Sequence, residues 1–531
     1  MKFLLILTLL VSNVVPAPLK YTEAKGELKI TKATKIHYQS TDADMARNAQ
    51  FLQEYIAQLT GIQTQLKAHK GAPCTFFAKG IILKSGLAND NKEAYTLTVK
   101  AKKAVITGST PAGAFYGIQT LRKMIPVGDA QSASVAAVAI EDEPRVPNRG
   151  AMLDCARHFF PVEFVKEFID ILAFHNMNSF HWHLTDDQGW RIEVKKYPNL
   201  AEYGSIRKQT LVGHYGSNEY DGTPYGGYYT QEQIKDIVKY AADRNINIVP
   251  EIDMPGHMVA ALASYNNLGC RDNDKYEVRQ IWGIADEVLC MGKESTFEFI
   301  FGVLDEVVPL FPCPVFHIGG DECPTVEWEK CKYCQDRIKE LGFKDDDHTS
   351  AERKLQGYFT KRVAEYLASK GKRIIGWDEL LENEIPGDAM IMSWRGTKGG
   401  VTAAKMGHDV VMSPTSYCYI DYYQSKDIEN EPLAIGGYLP VEKTYSFDPA
   451  LDELTAEEAK HIVGVQANLW TEYIATPEYA EYMMLPRVSA LSEVGWSAAG
   501  NKDYASFVER MGSISKIYDR MGWNYAKHIF Q

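Results

Sequence analysis

The chain has no surplus of positive charge. Its 57 lysines and arginines stand against 69 aspartates and glutamates, a formal net charge of −12. Phosphate backbones need a basic face, so nucleic acid is excluded as a partner. Past the N-terminus no apolar run approaches the ~18 residues of a membrane-spanning helix. Cysteine is sparse. Of nine in the chain, only Cys331 and Cys334 have CxxC spacing, and without a second such pair the pattern for structural zinc is incomplete. The CxxC reads as a redox pair, half of a metal site or a small disulfide. Cys270 and Cys290 flank a polar loop, which a disulfide would close in an oxidising compartment. The odd count leaves at least one thiol free or paired between chains.

What is present begins with a leader. Residues 1–17, MKFLLILTLLVSNVVPA, carry one lysine, then an apolar run, then small residues. This is the build of a secretory signal, too short for a membrane span, and it predicts a secreted or periplasmic protein. Pro18 after Ala17 leaves the cleavage point open. No cysteine follows the run, so no bacterial lipid anchor is expected there.

From 18 to 145 the pattern predicts a small α+β support domain. Residues 27–38 and 93–105 alternate like strands. Residues 43–60 have helical spacing and end at Gly61, and 110–125 begin a second helix with a proline near the start. Pro144 and Pro147 mark a linker. Beyond it eight short apolar segments alternate with helical ones. The strands fall at 150–154, 179–184, 246–252, 315–320, 373–377, 389–394, 410–413 and 464–469, with helices such as 162–174, 231–243, 295–310 and 350–368 between them. Alternating strands and helices mean a parallel sheet, and eight units suit a closed (β/α)8 barrel, here 146–500. Residues 501–531 hold a last helix, expected on the barrel's outside.

Chemistry in such barrels gathers at the C-terminal strand ends. Nearly every strand here exits into polar or aromatic residues: Asp154 to His158, Asp186-Asp187, Asp253 to His257, Asp321-Glu322, Asp378-Glu379, Trp394-Arg395, Tyr419 and Asp421, Trp470 and Glu472. The centre of the pattern is Val315-Phe316-His317-Ile318-Gly319-Gly320-Asp321-Glu322. Two adjacent carboxylates repel, which keeps a proton on one while the other stays ionised, as general acid chemistry at an acetal requires. Neighbours on a strand point to opposite faces. Both carboxylates share a cleft only if the strand ends near Asp321 and the chain turns, a bend that Gly319 and Gly320 permit. Trp377, Trp394 and Trp470 suit the apolar faces of a sugar ring. Arg149 and Glu472, on the first and last strands, become neighbours when a barrel closes and would grip a diol. Asp186 to His257 to Glu322 forms a proton-tuning chain; whether Asp186 or Asp187 bonds His257 stays open, with Asp186 preferred.

His-x-Gly-Gly-Asp-Glu resembles the signature of the family 20 glycoside hydrolases, the β-N-acetylhexosaminidases. So do RGAMLDCARHFFP, NSFHWHLTDDQGWR, VPEIDMPGH, GWDE, MSWRG, SPTSYCYID and ANLWTE. The resemblance covers 149–496 and, more weakly, the N-terminal domain. It implies exo-acting, retaining hydrolysis of terminal β-linked GlcNAc or GalNAc from glycans, with the substrate's acetamido oxygen as nucleophile, and with neither cofactor nor metal. On that pattern Asp321 orients the acetamido N–H, Glu322 is the acid and then the base, and Tyr419 donates to the acetamido oxygen. The three tryptophans box the sugar, and Arg149, Asp421 and Glu472 hold its hydroxyls.

Three rivals are separable. A related barrel that releases disaccharides needs a pocket open beyond the first sugar. A metal-dependent hydrolase finds support in His181 and His183, but such barrels open with HxH on the first strand, and this pair is on the second. A silent glycan-binding barrel fits poorly with intact Asp321, Glu322 and Tyr419. Oligomeric state is not legible.

Overall fold

The computed structural model describes residues 13–75, 78–271 and 275–530. It divides into two compact units. One comprises 1–145, 174–176 and 488–531, the other 146–173 and 177–487.

In the first unit a seven-stranded sheet has the order β1 (Lys20–Thr31), β7 (Ser132–Asp142), β5 (Tyr95–Lys100), β6 (Lys103–Gly108), β4 (Gly80–Ser85), β2 (Lys35–Gln39), β3 (Gln65–His69). The β1, β7, β5 and β6 pairings are antiparallel and the rest parallel. Helices α1 (Ala43–Thr60) and α2 (Pro111–Met124) pack against each other beside it. Helix α1 starts where the Asp42 carboxylate caps the Asp44 and Met45 amides, and it stops at Gly61, whose φ of 72° a β-carbon would disfavour. Helix α2 starts at a Thr110 cap with proline in its first turn and is buried along most of its length. The last helix, Tyr504–Met521, falls in this unit, where it packs on α1 and α2 and also, as expected of it, meets residues of the 146–500 stretch, Phe174, His175 and Ser489. Its buried stripe, Phe507, Met511, Ile514 and Tyr518, has the spacing of one helix face, and the sequence does not reveal which partner that face meets.

Of the expected leader, residues 1–12 lie outside those described. Residues 14–17 make contacts within the first unit: Val14 and Val15 are buried, and the Ala17 N–H donates to Glu493 at 3.0 Å.

The second unit is the expected parallel barrel. Its strands are Asn148–Asp154, Ser179–His183, Asn247–Glu251, Val315–His317, Arg373–Trp377, Met390–Ser393, Val410–Met412 and Ile462–Leu469. The last pairs with the first, Gly464 against Asn148 through Leu469 against Leu153, which closes the ring. Inside, Ile375, Trp377, Met390, Met392 and Val411 form a packed cluster with Trp394 and Trp470 against it. This floor is a core, and the chemistry sits above it. Between the second strand and the helix Gln231–Ala242 the chain makes short hairpins, among them Thr185–Asp186 with Gly189–Trp190. No strand periodicity is visible in pairs so short. Among the described residues no helix is long and apolar enough to cross a membrane.

Candidate active site

A cavity of about 470 Å³ opens at the C-terminal end of the strands. Asp321, Glu322, His257, Tyr419, Asp421, Trp377, Trp394, Trp470 and Glu472 line it, as the strand exits predict, together with Arg157.

The turn that carries the two carboxylates is tighter than expected. The fourth strand ends at His317, and Gly319 and Gly320 both take positive φ, 68° and 95°. A β-carbon on Gly319 would stand 1.6 Å from Asp253 Oδ1, so only glycine fits. That same Oδ1 accepts the Gly320 N–H at 3.2 Å. Glu322 follows with φ 46°, a left-handed conformation costly for a residue with a β-carbon and typical of functional turns. Strand alternation is thereby broken, and both carboxylates reach one imidazole. His257 Nε2 lies 3.7 Å from Asp321 Oδ2 and 3.6 Å from Glu322 Oε2. Asp321 is buried, whereas the Glu322 side chain stays 35% exposed at the rim, where a leaving group and water can reach it. Burial, with the nearby Glu251 and Glu322 charges and against the pull of His257, pushes Asp321 up to about 6.

Behind them runs a charged relay. His257 Nδ1 donates to Asp186 Oδ1 at 3.1 Å, while Asp187 Oδ2 lies at 3.7 Å, so Asp186 is the partner. Asp187 instead accepts the Val259 N–H. Asp186 also faces His183 Nε2 at 2.8 Å and Arg157 at 2.9 Å. Burial opposes a charged His257, but Asp186 and the carboxylates at its other nitrogen hold its pKa well above the ordinary value. Asp186, despite burial, is held well below its usual range by Arg157 and His257.

Below this level Glu251 organises the floor. It accepts the His183 Nδ1–H at 2.5 Å and the Trp377 indole N–H at 3.0 Å, and lies 2.9 Å from both His181 and His317. His183 therefore faces carboxylates on both nitrogens. Burial disfavours its charge, yet Glu251 and Asp186 hold its pKa well above the ordinary value. Glu379 plays the matching part for Trp394, whose indole N–H reaches it at 2.9 Å. Burial and the Asp321 charge push Glu379 up to about 8.

The far wall is Tyr419, stacked on Trp394 with centroids 6.0 Å apart, and Trp470, 5.8 Å from Trp377. Tyr419 extends the seventh strand's pairing by bridging Asn468 on the eighth. Burial raises its pKa well above 10, so the phenol remains a donor. Burial and then Glu472 raise Asp421, whose Oδ1 is buried with no partner among the described residues. His257 Nε2 and Asp321 Oδ1 are likewise unsatisfied. Buried polar atoms at a pocket await a ligand's complementary groups.

Arg149 is the correction. It is the second residue of the first strand, so it stands at the opposite end of the barrel, roughly 16 Å below Asp154 at the rise of a strand. Its guanidinium donates to the Val146 and Pro147 carbonyls. The arginine in the pocket is Arg157, just past the strand's C-terminal end. It pairs with Asp154 at 3.1 Å and lies 3.8 Å from Glu472 and 4.9 Å from the centre of Trp470. Barrel polarity was the signal, since a residue at the start of a strand stands at the wrong mouth. Glu251 and Asp253 were passed over for a different reason. Both lie at the end of the third strand, and nothing in the residues there announces three histidines converging on one carboxylate.

A closed parallel barrel whose mouth combines an acidic pair, a relay histidine and an aromatic box defines a carbohydrate-cleaving enzyme. Comparison with known proteins narrows the class. Residues 147–499 match "Glycosyl hydrolase family 20, catalytic domain" and 11–143 match "Glycosyl hydrolase family 20, domain 2". The chain belongs to glycosyl hydrolase family 20. It is 42% identical over 520 residues to a beta-hexosaminidase of Porphyromonas gingivalis, covering 97% of this chain and 64% of that one, a little under two thirds of the relative's length. The Vibrio harveyi exo-beta-N-acetylglucosaminidase, solved with N-acetylglucosamine, superposes with a TM-score of 0.85 at 33% identity over 97% of this chain and 78% of that one. The Streptomyces coelicolor beta-N-acetylhexosaminidase gives 0.83 at 31% identity, covering 97% of each.

Proposed function

We propose that the chain is an exo-acting, retaining β-N-acetylhexosaminidase, removing terminal β-linked GlcNAc or GalNAc from glycans with the substrate's acetamido group as nucleophile. The observation that carries this is the placement of Asp321 and Glu322 around one imidazole nitrogen, 3.7 and 3.6 Å away. Ordinary retaining enzymes set acid and nucleophile about 5–5.5 Å apart across the sugar. Asp321 and Glu322 are consecutive residues of one turn facing one histidine, an arrangement that favours a nucleophile brought by the substrate over a pair set on opposite sides of a ring.

In this reading the acetamido oxygen attacks the anomeric carbon as Glu322 protonates the departing glycosidic oxygen. Asp321 accepts the acetamido N–H and balances the charge of the resulting oxazolinium. Tyr419 donates to the acetamido oxygen. Water, deprotonated by Glu322, then opens the ring and restores both the acid and the β-configuration. Trp377, Trp394 and Trp470 box the acetamido group and sugar, with Arg157, Asp421 and Glu472 on the hydroxyls. The leader pattern supports export to the periplasm or beyond.

The test is a pair of aryl glycosides. The β-N-acetylglucosaminide should be hydrolysed and the plain β-glucoside scarcely touched, with proton NMR showing β-product first. Equal rates on both, or α-product first, would overturn the reading. Mass analysis of products from purified glycans distinguishes single sugars from disaccharides.

A further inference from the structure

Four cysteines distant in sequence converge from the stretches that follow the third and fourth barrel strands. Cys270 and Cys290 end a segment that follows the third barrel strand; Cys331 and Cys334 lie at the start of the helix Lys332–Leu341, after the fourth. All four are buried, and their sulfurs lie within 4.8 Å of one another. The Cys290 sulfur is 3.6 Å from both Cys331 and Cys334, and Cys270 is 3.9 Å from Cys334.

These spacings discriminate between chemistries. A disulfide pairs each sulfur with one partner at about 2.0 Å. Here Cys290 is equidistant from two, and none is within bonding distance. Four thiolates around a tetrahedral zinc, each about 2.3 Å from it, stand about 3.8 Å apart. Backbone contacts between the two stretches hold the four together. Gly269 and Leu289 form an antiparallel bridge, and the Cys290 N–H donates to Leu268, which sets Cys270 and Cys290 side by side. The Trp328 indole N–H donates to the Leu289 carbonyl at 2.9 Å, tying that bridge to the stretch before Cys331. Gly292 passes so close that a β-carbon would meet the Tyr333 carbonyl carbon at 2.1 Å. Cys331 caps the helix and Cys334 is in its first turn, where the dipole favours negative charge.

We propose that Cys270, Cys290, Cys331 and Cys334 bind one zinc ion as a closed tetrathiolate site. With four protein ligands it has no open position and does no chemistry of its own. It clips two active-site loops together. The segment between Cys270 and Cys290 delivers Trp282, Gly283 and Ile284 to the cavity wall, and the loop that ends at Cys331 starts from Asp321 and Glu322. The sequence pattern argued against zinc because it lacked a second CxxC. The antiparallel bridge supplies that second pair from cysteines too far apart to be read as one.

The experiment uses the full chain, purified without chelator and analysed by plasma mass spectrometry and by native mass. One zinc per chain is expected. Exchange with cobalt(II) should give the intense thiolate-to-cobalt band of a tetrahedral sulfur site. A Cys331→Ser/Cys334→Ser variant should lose the metal and show a KM raised several-fold, with kcat changed less. Should that variant fail to fold, the wild-type metal content and cobalt spectrum still decide. Two disulfides among these cysteines in a peptide map, four freely alkylated thiols without metal, iron in place of zinc, or zinc retained by the variant would each overturn the assignment.

Discussion

Glu322 is both strained and reachable, which fits a residue that must meet a leaving group and then a water. Glu322→Gln removes the proton donor and keeps the shape. Hydrolysis of a glycan should fall by about 10²–10⁴-fold. The loss should be smaller on an aryl glycoside whose phenol departs without help, and a steady-state comparison of the two substrates checks this. Asp321 has the opposite character. Its carboxyl is raised from 3.8 to about 6 by burial, so the folded state holds its proton more tightly than the unfolded state does. Ionising it above pH 6 therefore costs stability, and that cost vanishes as pH falls through 6 toward 4. Asp321→Asn should melt higher than wild type at pH 8, with the gain shrinking by pH 5, while turnover of the acetamido substrate collapses. Calorimetry at the two pH values, beside the rate, tests the sign. A melting temperature lowered at pH 8 would contradict it. The two arginines give the cleanest contrast. Arg157→Lys should raise KM by about tenfold or more, as expected for a lost charge-assisted hydrogen bond. Arg149→Lys should lower the melting temperature with KM unchanged, since that side chain serves the Val146 and Pro147 carbonyls.

The eight strands were legible as elements because each is a short apolar run stopped by turn residues or charge. The fifth, Arg373–Trp377, falls where the pattern places it. The ring of polar exits was legible for the same reason, since barrel polarity turns a strand's end into an address. What could not be read was what happens within a turn. The fourth strand was expected to run to 320, but it stops at His317 because two successive glycines leave the extended region. Arg149 was misread because it lies in a matching motif yet precedes its strand's body, and the four cysteines meet only through a bridge of two residues. The turn after the fourth strand carries its own prediction. Gly319→Ala would drive a methyl into Asp253 and shift the Asp321–Glu322 backbone. A displacement of about 1 Å is worth about 10²-fold in rate, so kcat should fall by at least that much along with the melting temperature. Gly342 is the control. It also has positive φ, 70°, but a β-carbon there meets nothing within 4 Å. Gly342→Ala should lower stability modestly and leave kcat alone; equal kcat losses in both variants would dismiss the steric argument.

Across the whole molecule, the first and the last of the described residues, from Asn13 and up to Phe530, belong to one compact unit. At its centre Glu493, fully buried, takes two bonds of 2.7 Å from the Arg510 guanidinium. Buried ion pairs hold only when their remaining hydrogen-bonding groups are satisfied. The segment just before Pro18 contributes to that here. The Ala17 N–H donates to Glu493 at 3.0 Å, Arg510 donates to the Val14 carbonyl at 2.8 Å, and the Ser497 hydroxyl donates to the Ala17 carbonyl at 2.6 Å. The small residues that suggest a leader ending at 17 are thus part of the folded unit's polar core. An exported form should begin at or before Val14, and N-terminal sequencing of protein recovered outside the cytoplasm checks this. A chain engineered to start at Pro18 would leave the pair short of two partners and should melt several degrees below one starting at Asn13. Recovery of a mature protein beginning at Pro18, as stable as the longer chain, would mean that these contacts contribute nothing and that the composition pattern placed the cut correctly.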